Sequence, residues 1–353
     1  MREFGSDFHI VNAYKTEKAC PMDVFSYSLF LADGRQCIEA LIRQFGWKRL
    51  WMPAYFCYNI IEYLQKNIGI EIVFYIDYPG NDDRKTISEL CFQEGDVLLR
   101  MNYFGLRSYR STKGISVPVI EDHSHDLIGD WARNSDADWC IASLRKIIPI
   151  PEGGVLWSPK GYKLDCYPGQ SASNMALAQK RWLAMEEKGK YIAGLVDNKD
   201  SFRGLYLETE NALDDLEISS IDERSRDFIC HFNLNAWYKA KNRNWKVLSR
   251  LSSTKGITAF LPESEELTPF SFIVLFENHS ERERVRKELI NTFIYPAVLW
   301  NVSENVDREV SSISKRMLSI HCDGRYNESE MQYLLNTINT IIQNDKIVRH
   351  IAE

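Results

Sequence analysis

Long apolar runs are missing from this chain. No stretch of its 353 residues approaches the roughly 18 consecutive apolar residues that a membrane-crossing helix needs, so a spanning protein is not expected. The N-terminal stretch MREFGSDFHIVNAYKTEKAC has no apolar core of the secretory type. Cysteine occurs eight times between Cys20 and Cys322, never as a CxxC pair. A metal cluster or disulfide framework is therefore not expected, and the plain expectation is a reducing, cytoplasmic location. Clustered positive charge is missing too. The formal net charge is -6 and basic residues are scattered, which argues against a nucleic-acid surface while leaving room for a local anion site. Internal repeats and low-complexity tracts are absent.

What is present is ordinary globular composition with an aromatic surplus. Hydrophobic residues make up 44% and charged residues 26%, so disorder is not expected outside the ends. The aromatic share is 12%, with nine Trp, and such side chains usually fill cores and interfaces. The length suits one large domain and a smaller one. Apolar positions Cys37, Ile38, Leu41, Ile42 and Phe45 in RQCIEALIRQF recur at helical spacing. YNIIEYLQKNI reads as a helix, RLWMPAY as a short strand ended by Pro53, and EIVFYID, DVLLRMNYFG, VPVIED, DWCIASL and GGVLWSP as further strands. Strands alternating with helices predict an α/β fold with a mostly parallel sheet. Residues 172 to 250 read as long charged helices. Beyond them, PFSFIVLF predicts a strand, SERERVRKELINT a helix and MQYLLNTINTIIQ a closing helix. The expected division is a large α/β domain over 1–250, including the helical connector, and a small α+β domain over 251–353.

Ligands of such sheets sit beyond the carboxyl ends of the strands. Asn102, Asp122 and Ser143 fall at or near such ends. Asp122 closes VPVIED, and Lys146 follows the next strand, ahead of Pro149, Pro151, Gly153 and Gly154. A strand-end acid can simply cap a helix. It can also pair with the protonated pyridine nitrogen of a cofactor and keep that ring electron-poor. A lysine after a strand is usually a solvated charge; held in a cleft it can form a Schiff base. Ser143 could donate to a phosphate on the same cofactor, and His125 could reach a ring substituent. Metal binding by His123 and His125 lacks a third ligand at helical or strand spacing. Gly34, just after Asp33, stands at a helix start whose free N–H groups suit a phosphate. In MPAYFCYN, Tyr55, Phe56 and Tyr58 are all candidates to stack on a flat ring, and each could equally pack under the sheet. Cys57 has no histidine base near it in sequence.

In this order, the elements resemble the pyridoxal-phosphate-dependent fold-type I aminotransferases, and more narrowly the DegT/DnrJ/EryC1/StrS family of sugar aminotransferases. The motifs are DGRQ at a helix start, MPAYFC, NYFG over Asn102 to Gly105, Glu121-Asp122 with His125, Lys146 ahead of PEGG, and the closing YPAVLW and LSIHCDGRYNESEM. The resemblance runs from about residue 25 to the end. It implies a seven-stranded, mostly parallel sheet flanked by helices, with a small C-terminal α+β domain. It implies pyridoxal 5'-phosphate as cofactor, an amino acid donor, a keto-sugar acceptor and a homodimer. Lys146 and Asp122 would be catalytic. Gly34, Arg35, Gln36 and Ser143 would cradle the phosphate, His125 would orient the ring oxygen, and Asn102 and Tyr55 would also line the cofactor. Asn233 or Asn235 would serve across the dimer interface. Three features depart from the family pattern. Ser143 stands three residues before the lysine, where five is usual. Cys57 takes the position of the usual stacking aromatic, with Tyr55 the substitute. The segment after residue 176 differs from the usual middle region.

Two rivals remain open on sequence. A dehydratase of this family carries histidine in place of the lysine, so Lys146 argues against it. A non-catalytic relative is disfavoured by the presence of both Asp122 and Lys146. Near the C-terminus, Asn327 reads as an N-cap with Glu330 as its box partner, and Arg325 reads as an anchor of the small domain rather than a substrate contact.

Overall fold

The computed structural model describes residues 3–17, 25, 28–165, 167–213 and 216–352, with side chains as far as Gln343. A short strand β1 (Phe4–Gly5) comes first. Then follow β2 (Leu29–Leu31), α1 (Gly34–Phe45), β3 (Arg49–Pro53), α2 (Tyr58–Ile68), β4 (Glu71–Tyr75), α3 (Asp83–Ser88), β5 (Asp96–Met101), β6 (Val119–Asp122), α4 (Asp130–Asn134), β7 (Trp139–Ser143) and β8 (Gly154–Trp157). Seven of these strands form one sheet in the order β2-β8-β7-β6-β5-β3-β4. Strands β3 to β7 pair in parallel, and β8 runs antiparallel to both neighbours. This is the seven-stranded, mostly parallel sheet that the sequence predicts. Every residue of β5, β6 and β7 is buried. A strand covered on both faces reads as a continuous apolar run instead of an alternating one, which is how these segments read.

Helix α1 shows why the chain folds so here. Asp33 accepts a hydrogen bond from the N–H of Arg35 and caps its start, and Gly46, at φ 62°, ends it. Cys37, Ile38, Leu41 and Ile42 are all at most 2% exposed against the sheet. Each such side chain contributes roughly 1.5–3 kcal/mol by leaving water, so Leu41→Ala is a change that would open a hole in this layer.

Four helices follow: α5 (Ala172–Ile192), α6 (Asp200–Ala212), α7 (Glu223–Cys230) and α8 (Leu234–Leu248). The last two occupy a stretch that reads as continuously helical in sequence. The break falls at His231 to Asn233, where the Asn233 side chain accepts from the N–H of Ala236 and starts a new helix. The C-terminal part contains β9 (Ile257–Ala259), β10 (Phe272–Phe276), α9 (His279–Asn291), β11 (Ile294–Tyr295), α10 (Arg308–Arg316), β12 (Met317–Ile320) and α11 (Glu328–Ala352). Strands β12, β10 and β9 form an antiparallel sheet. β11 pairs in parallel with β1, so the beginning of the chain is tied to its C-terminal part. The expected capping box forms: Glu330 N–H donates to Asn327 Oδ1 at 3.0 Å and Asn327 N–H donates to Glu330 Oε2 at 2.8 Å. Apolar clusters fill both faces of the large sheet, and a further one lies between the small sheet and helices α8, α9 and α11. Among the described residues, no helix is long and apolar enough to cross a membrane.

Candidate active site

The carboxyl ends of β5, β6 and β7 lie side by side, since Met101 pairs with Asp122 and Asp122 with Ile141. The next residues therefore emerge together. Asn102 N–H donates to the carbonyl of Asp122 at 3.0 Å, and His123 N–H to the carbonyl of Ile141 at 2.8 Å. Ser124 stitches the ends: its N–H donates to Asp122 Oδ1 at 2.8 Å, and its Oγ accepts from the N–H of Ser143 at 2.8 Å. Asp122 and Ser143 are buried. Asn102 is 1% exposed, and neither of its amide atoms has a hydrogen-bond partner among the described residues. A buried amide left unpaired costs about 1–3 kcal/mol, so this corner is built for something the chain does not supply.

His125 is held in a defined state. Its Nδ1 accepts from the backbone N–H of Phe104 at 3.1 Å, which leaves the proton of the neutral ring on Nε2. Burial, reinforced by the positive charges of Lys146 and Lys241, pushes its pKa well below the usual histidine range. Three aromatic rings surround it: Phe104 at 5.0 Å, Phe270 at 4.6 Å and Trp300 at 5.6 Å. Phe104 reaches this position with φ 54°, a left-handed conformation that costs about 1–3 kcal/mol in a bulky residue. His123 faces elsewhere. Its Nε2 lies 3.2 Å from Glu121 Oε2, in a buried cluster with Ser135 and Cys140. The two histidines thus share no site.

Lys146 ends a short 3-10 turn after β7. The glycine pair behind it explains how the turn fits. Gly153 has φ +113°, and a Cβ on Gly154 would come within 2.4 Å of the Asp33 carbonyl. The backbone of β8 therefore passes directly against the start of α1. A Cβ on Gly34 would likewise meet Ser143 Cβ at 3.0 Å, so Gly34 and Ser143 touch. Lys146 Nζ lies 5.3 Å from the centroid of the Trp300 ring, a geometry that favours a cation. Trp300 also approaches Tyr55 and Phe56, at 5.8 and 5.9 Å. The Tyr55 hydroxyl donates to the carbonyl of Leu299. Tyr58 points away, donating to the carbonyl of Ala54 and stacking on Phe74. Of the three aromatic candidates, Tyr55 and Phe56 are therefore at the site.

The start of α1 is more self-contained. Arg35 stands over the Tyr63 ring, with its Nε 3.7 Å from Asp33 Oδ1. Gln36 binds Asn174 and the Glu217 carbonyl through its Nε2, and accepts from the Ser219 N–H. Two residues past Gly34 the helix has turned by about 200°, so Gln36 faces the chain after α6. Arg145 lies 3.8 Å from Asp33 and, with Arg181, grips Glu210. Glu152 is buried; its carboxylate accepts from the Asp222 N–H at 2.7 Å, and burial raises its pKa to about 8. Asn233 is used as the α8 cap.

A cavity of about 340 Å³ opens beside Lys146, bounded by the segment Ser6 to Phe8, the 3-10 turn, and helices α5, α6 and α8. Of the residues that the sequence nominates for the site, only Lys146 lines it. Arg325 is also in the wall, but it is engaged: it grips Asp323 at 2.8 and 2.9 Å and donates to the carbonyl of Asp7 at 3.1 Å, an arrangement that supports the anchoring role. Trp300 and the cavity are the parts that sequence reading misses, although YPAVLW did mark the segment that carries Trp300.

No family model and no curated protein sequence matches this chain. Its fold does match solved structures. Spr1654 of Streptococcus pneumoniae, described as a sugar aminotransferase, superposes in its PLP form with a TM-score of 0.61 at 11% identity, over 94% of this chain and 93% of that one. The aminotransferase TlmJ of Streptoalloteichus hindustanus gives 0.59 at 11% identity, over 96% and 100%. DesI, in the presence of its TDP-sugar product, gives 0.60 at 12% identity, over 92% and 83%. These likenesses establish the fold, which is that of the fold-type I aminotransferases.

Proposed function

We propose that this protein is a pyridoxal-phosphate-dependent aminotransferase that moves an amino group from an amino acid onto the carbonyl carbon of a sugar or sugar-like acceptor. One observation carries the reading. Adjacent parallel strands deliver an acid, a neutral histidine and a lysine to the same end of the sheet, in a fold that solved aminotransferases share. The residues fit this cofactor at its ring end. Asp122 is buried, with one oxygen held by the Ser124 N–H, and Asn102 stands beside it with an unpaired amide. A protonated ring nitrogen is the partner that such a carboxylate takes. The contact of Gly34 with Ser143 supports the start of α1 as the end for the phosphate.

When bound, the cofactor supplies an electron sink for a substrate carbanion. Asp122 keeps the ring nitrogen protonated. His125, locked neutral by burial and by Phe104, orients the ring without adding charge. Lys146 Nζ is the amine that holds the cofactor covalently and carries the proton to and from the substrate carbon. Trp300 faces that ammonium and fixes its direction. The sugar acceptor is supported by two of the similar structures, one described as a sugar aminotransferase and one with a TDP-sugar product. The same reading carries a cytoplasmic homodimer. Sedimentation at micromolar concentration tests the dimer, and a fully active monomer would remove it.

The experiment is direct. Adding pyridoxal phosphate to the purified protein is expected to raise an absorbance band at the edge of the visible, absent in Lys146→Ala. A folded wild-type protein with no band, or a band that survives in the variant, overturns the reading.

A further inference from the structure

The cavity beside Lys146 holds a second amine. Lys241, on α8, is 2% exposed and lines the cavity wall. Its Nζ has no hydrogen-bond partner among the described residues; it lies 4.0 Å from the centroid of the Tyr238 ring. Burying an ammonium without a hydrogen-bonded counter-charge is costly, and aromatic contact offsets only part of that. The guanidinium groups of the wall are committed. Arg145 and Arg181 share Glu210, and Arg325 is forked onto Asp323. Asp126 and Asp323 act on Lys241 through their fields, but neither hydrogen-bonds it. Burial pushes the lysine below its ordinary pKa range, and the charges of Asp126 and Asp323 oppose that shift.

The rest of the wall narrows the ligand. Phe8, Met185, Trp237, Phe270 and Leu299 make it largely apolar. At about 340 Å³ it lies at the small end of ligand cavities. A short carbon skeleton ending in an anion fits such a chamber.

We propose that Lys241 is the subsite for a carboxylate of the amino donor, holding it in the cavity with its amino group toward Lys146. This rests on the reading of Lys146 as the reacting amine. The carboxylate would supply Lys241 with the charge-assisted hydrogen bond it lacks, while the apolar wall takes up the carbon chain. Lys241 is a substrate-positioning residue in this role and takes no part in the proton transfer.

Glutarate is the probe, because it has neither an amine nor a carbonyl that could react at Lys146. Calorimetric titration of the cofactor-free protein is expected to show glutarate binding. Lys241→Met should weaken it about tenfold or more in a protein that still folds. Lys241→Gln serves as a second neutral variant should the first fail to fold. No binding of glutarate to the wild type, unchanged binding by a folded neutral variant, or Lys241-dependent binding of inorganic phosphate in place of glutarate overturns the proposal. The outcome is independent of cofactor attachment. Glutarate binding that depends on Lys241, together with failure to attach cofactor at Lys146, would sink the proposed function and leave the anion subsite standing.

Discussion

The two ends of the candidate cofactor cleft are built differently. At the carboxyl ends of β5 and β6, polar groups are held in place by backbone contacts and left incompletely satisfied: Asn102 has no side-chain partner among the described residues, and Asp122 is held through Ser124. At the start of α1 the chain answers more of its own groups, although Asp33 Oδ2 and Arg145 Nε have no hydrogen-bond partner among the described residues. Asp33 caps the helix, Arg145 stands near Asp33, and Gln36 closes a hydrogen-bond set with Asn174, Glu217 and Ser219. A buried polar group without a partner is expensive, so the unsatisfied end is where a ligand is expected to supply binding energy. The better-satisfied end depends less on a ligand.

Substitutions at each end can break or sharpen this contrast. The largest effect is expected at Asp122. Asp122→Asn removes one partner of a desolvated charge pair, a loss of about 3–5 kcal/mol, so turnover should fall by orders of magnitude and cofactor should be held weakly. Near-native kcat in a folded variant would show that the acid has no such partner. Next comes Glu152, which backs the self-satisfied end. Burial raises its pKa from the ordinary carboxyl range to about 8. The native carboxyl therefore keeps a proton that the unfolded chain releases. The resulting stability is fully present below the unfolded value and is lost as pH rises through about 8. Glu152→Gln keeps an oxygen for the Asp222 N–H but cannot ionise, so its melting temperature should fall less than that of wild type between pH 7 and 9. Parallel curves would count against a neutral Glu152.

Gln36 comes third. Gln36→Leu should cost about 1–3 kcal/mol of stability by stranding the Ser219 N–H, the Glu217 carbonyl keeping its bond from Asn174, while cofactor affinity stays within about twofold; denaturant melts and a cofactor titration check both halves. A large drop in affinity would instead give Gln36 a place in the phosphate cradle. The smallest effect is expected at Asp33. On the proposed reading its carboxylate sits where the helix start would meet the cofactor phosphate. Asp33→Ser keeps a cap and removes a like charge, so cofactor should bind a few-fold tighter. Weaker binding would mean that Asp33 organises the anion site through Arg35 and Arg145.

Much of this was legible in the sequence. Strands β3 to β8 and helices α1 and α2 could be read because buried strands are short apolar runs and these two helices keep a clean 3.6-residue spacing; the short α3 and α4 carry no such pattern. Asp122, His125 and Lys146 could be placed because strand ends are where such sheets put their chemistry. Other features depend on long-range packing. Nothing local in LFL marks β2 as a sheet edge, and the divide between α7 and α8 is set by one capping asparagine within a helical-looking run. Gln36 looks like part of a phosphate loop until the helix rotation turns it to the segment after α6. Lys241 reads as one more charge on a charged helix; only the fold buries it, more than ninety residues from Lys146 in the chain.

The account's central claim is that Lys146 is the amine that holds the cofactor. Borohydride reduction of the protein with pyridoxal phosphate, followed by mass spectrometry of its peptides, tests it most directly. The expected result is a single reduced adduct on the peptide that carries Lys146, lost in Lys146→Ala. An adduct on another lysine such as Lys241, or none on a folded protein at saturating cofactor, would contradict it.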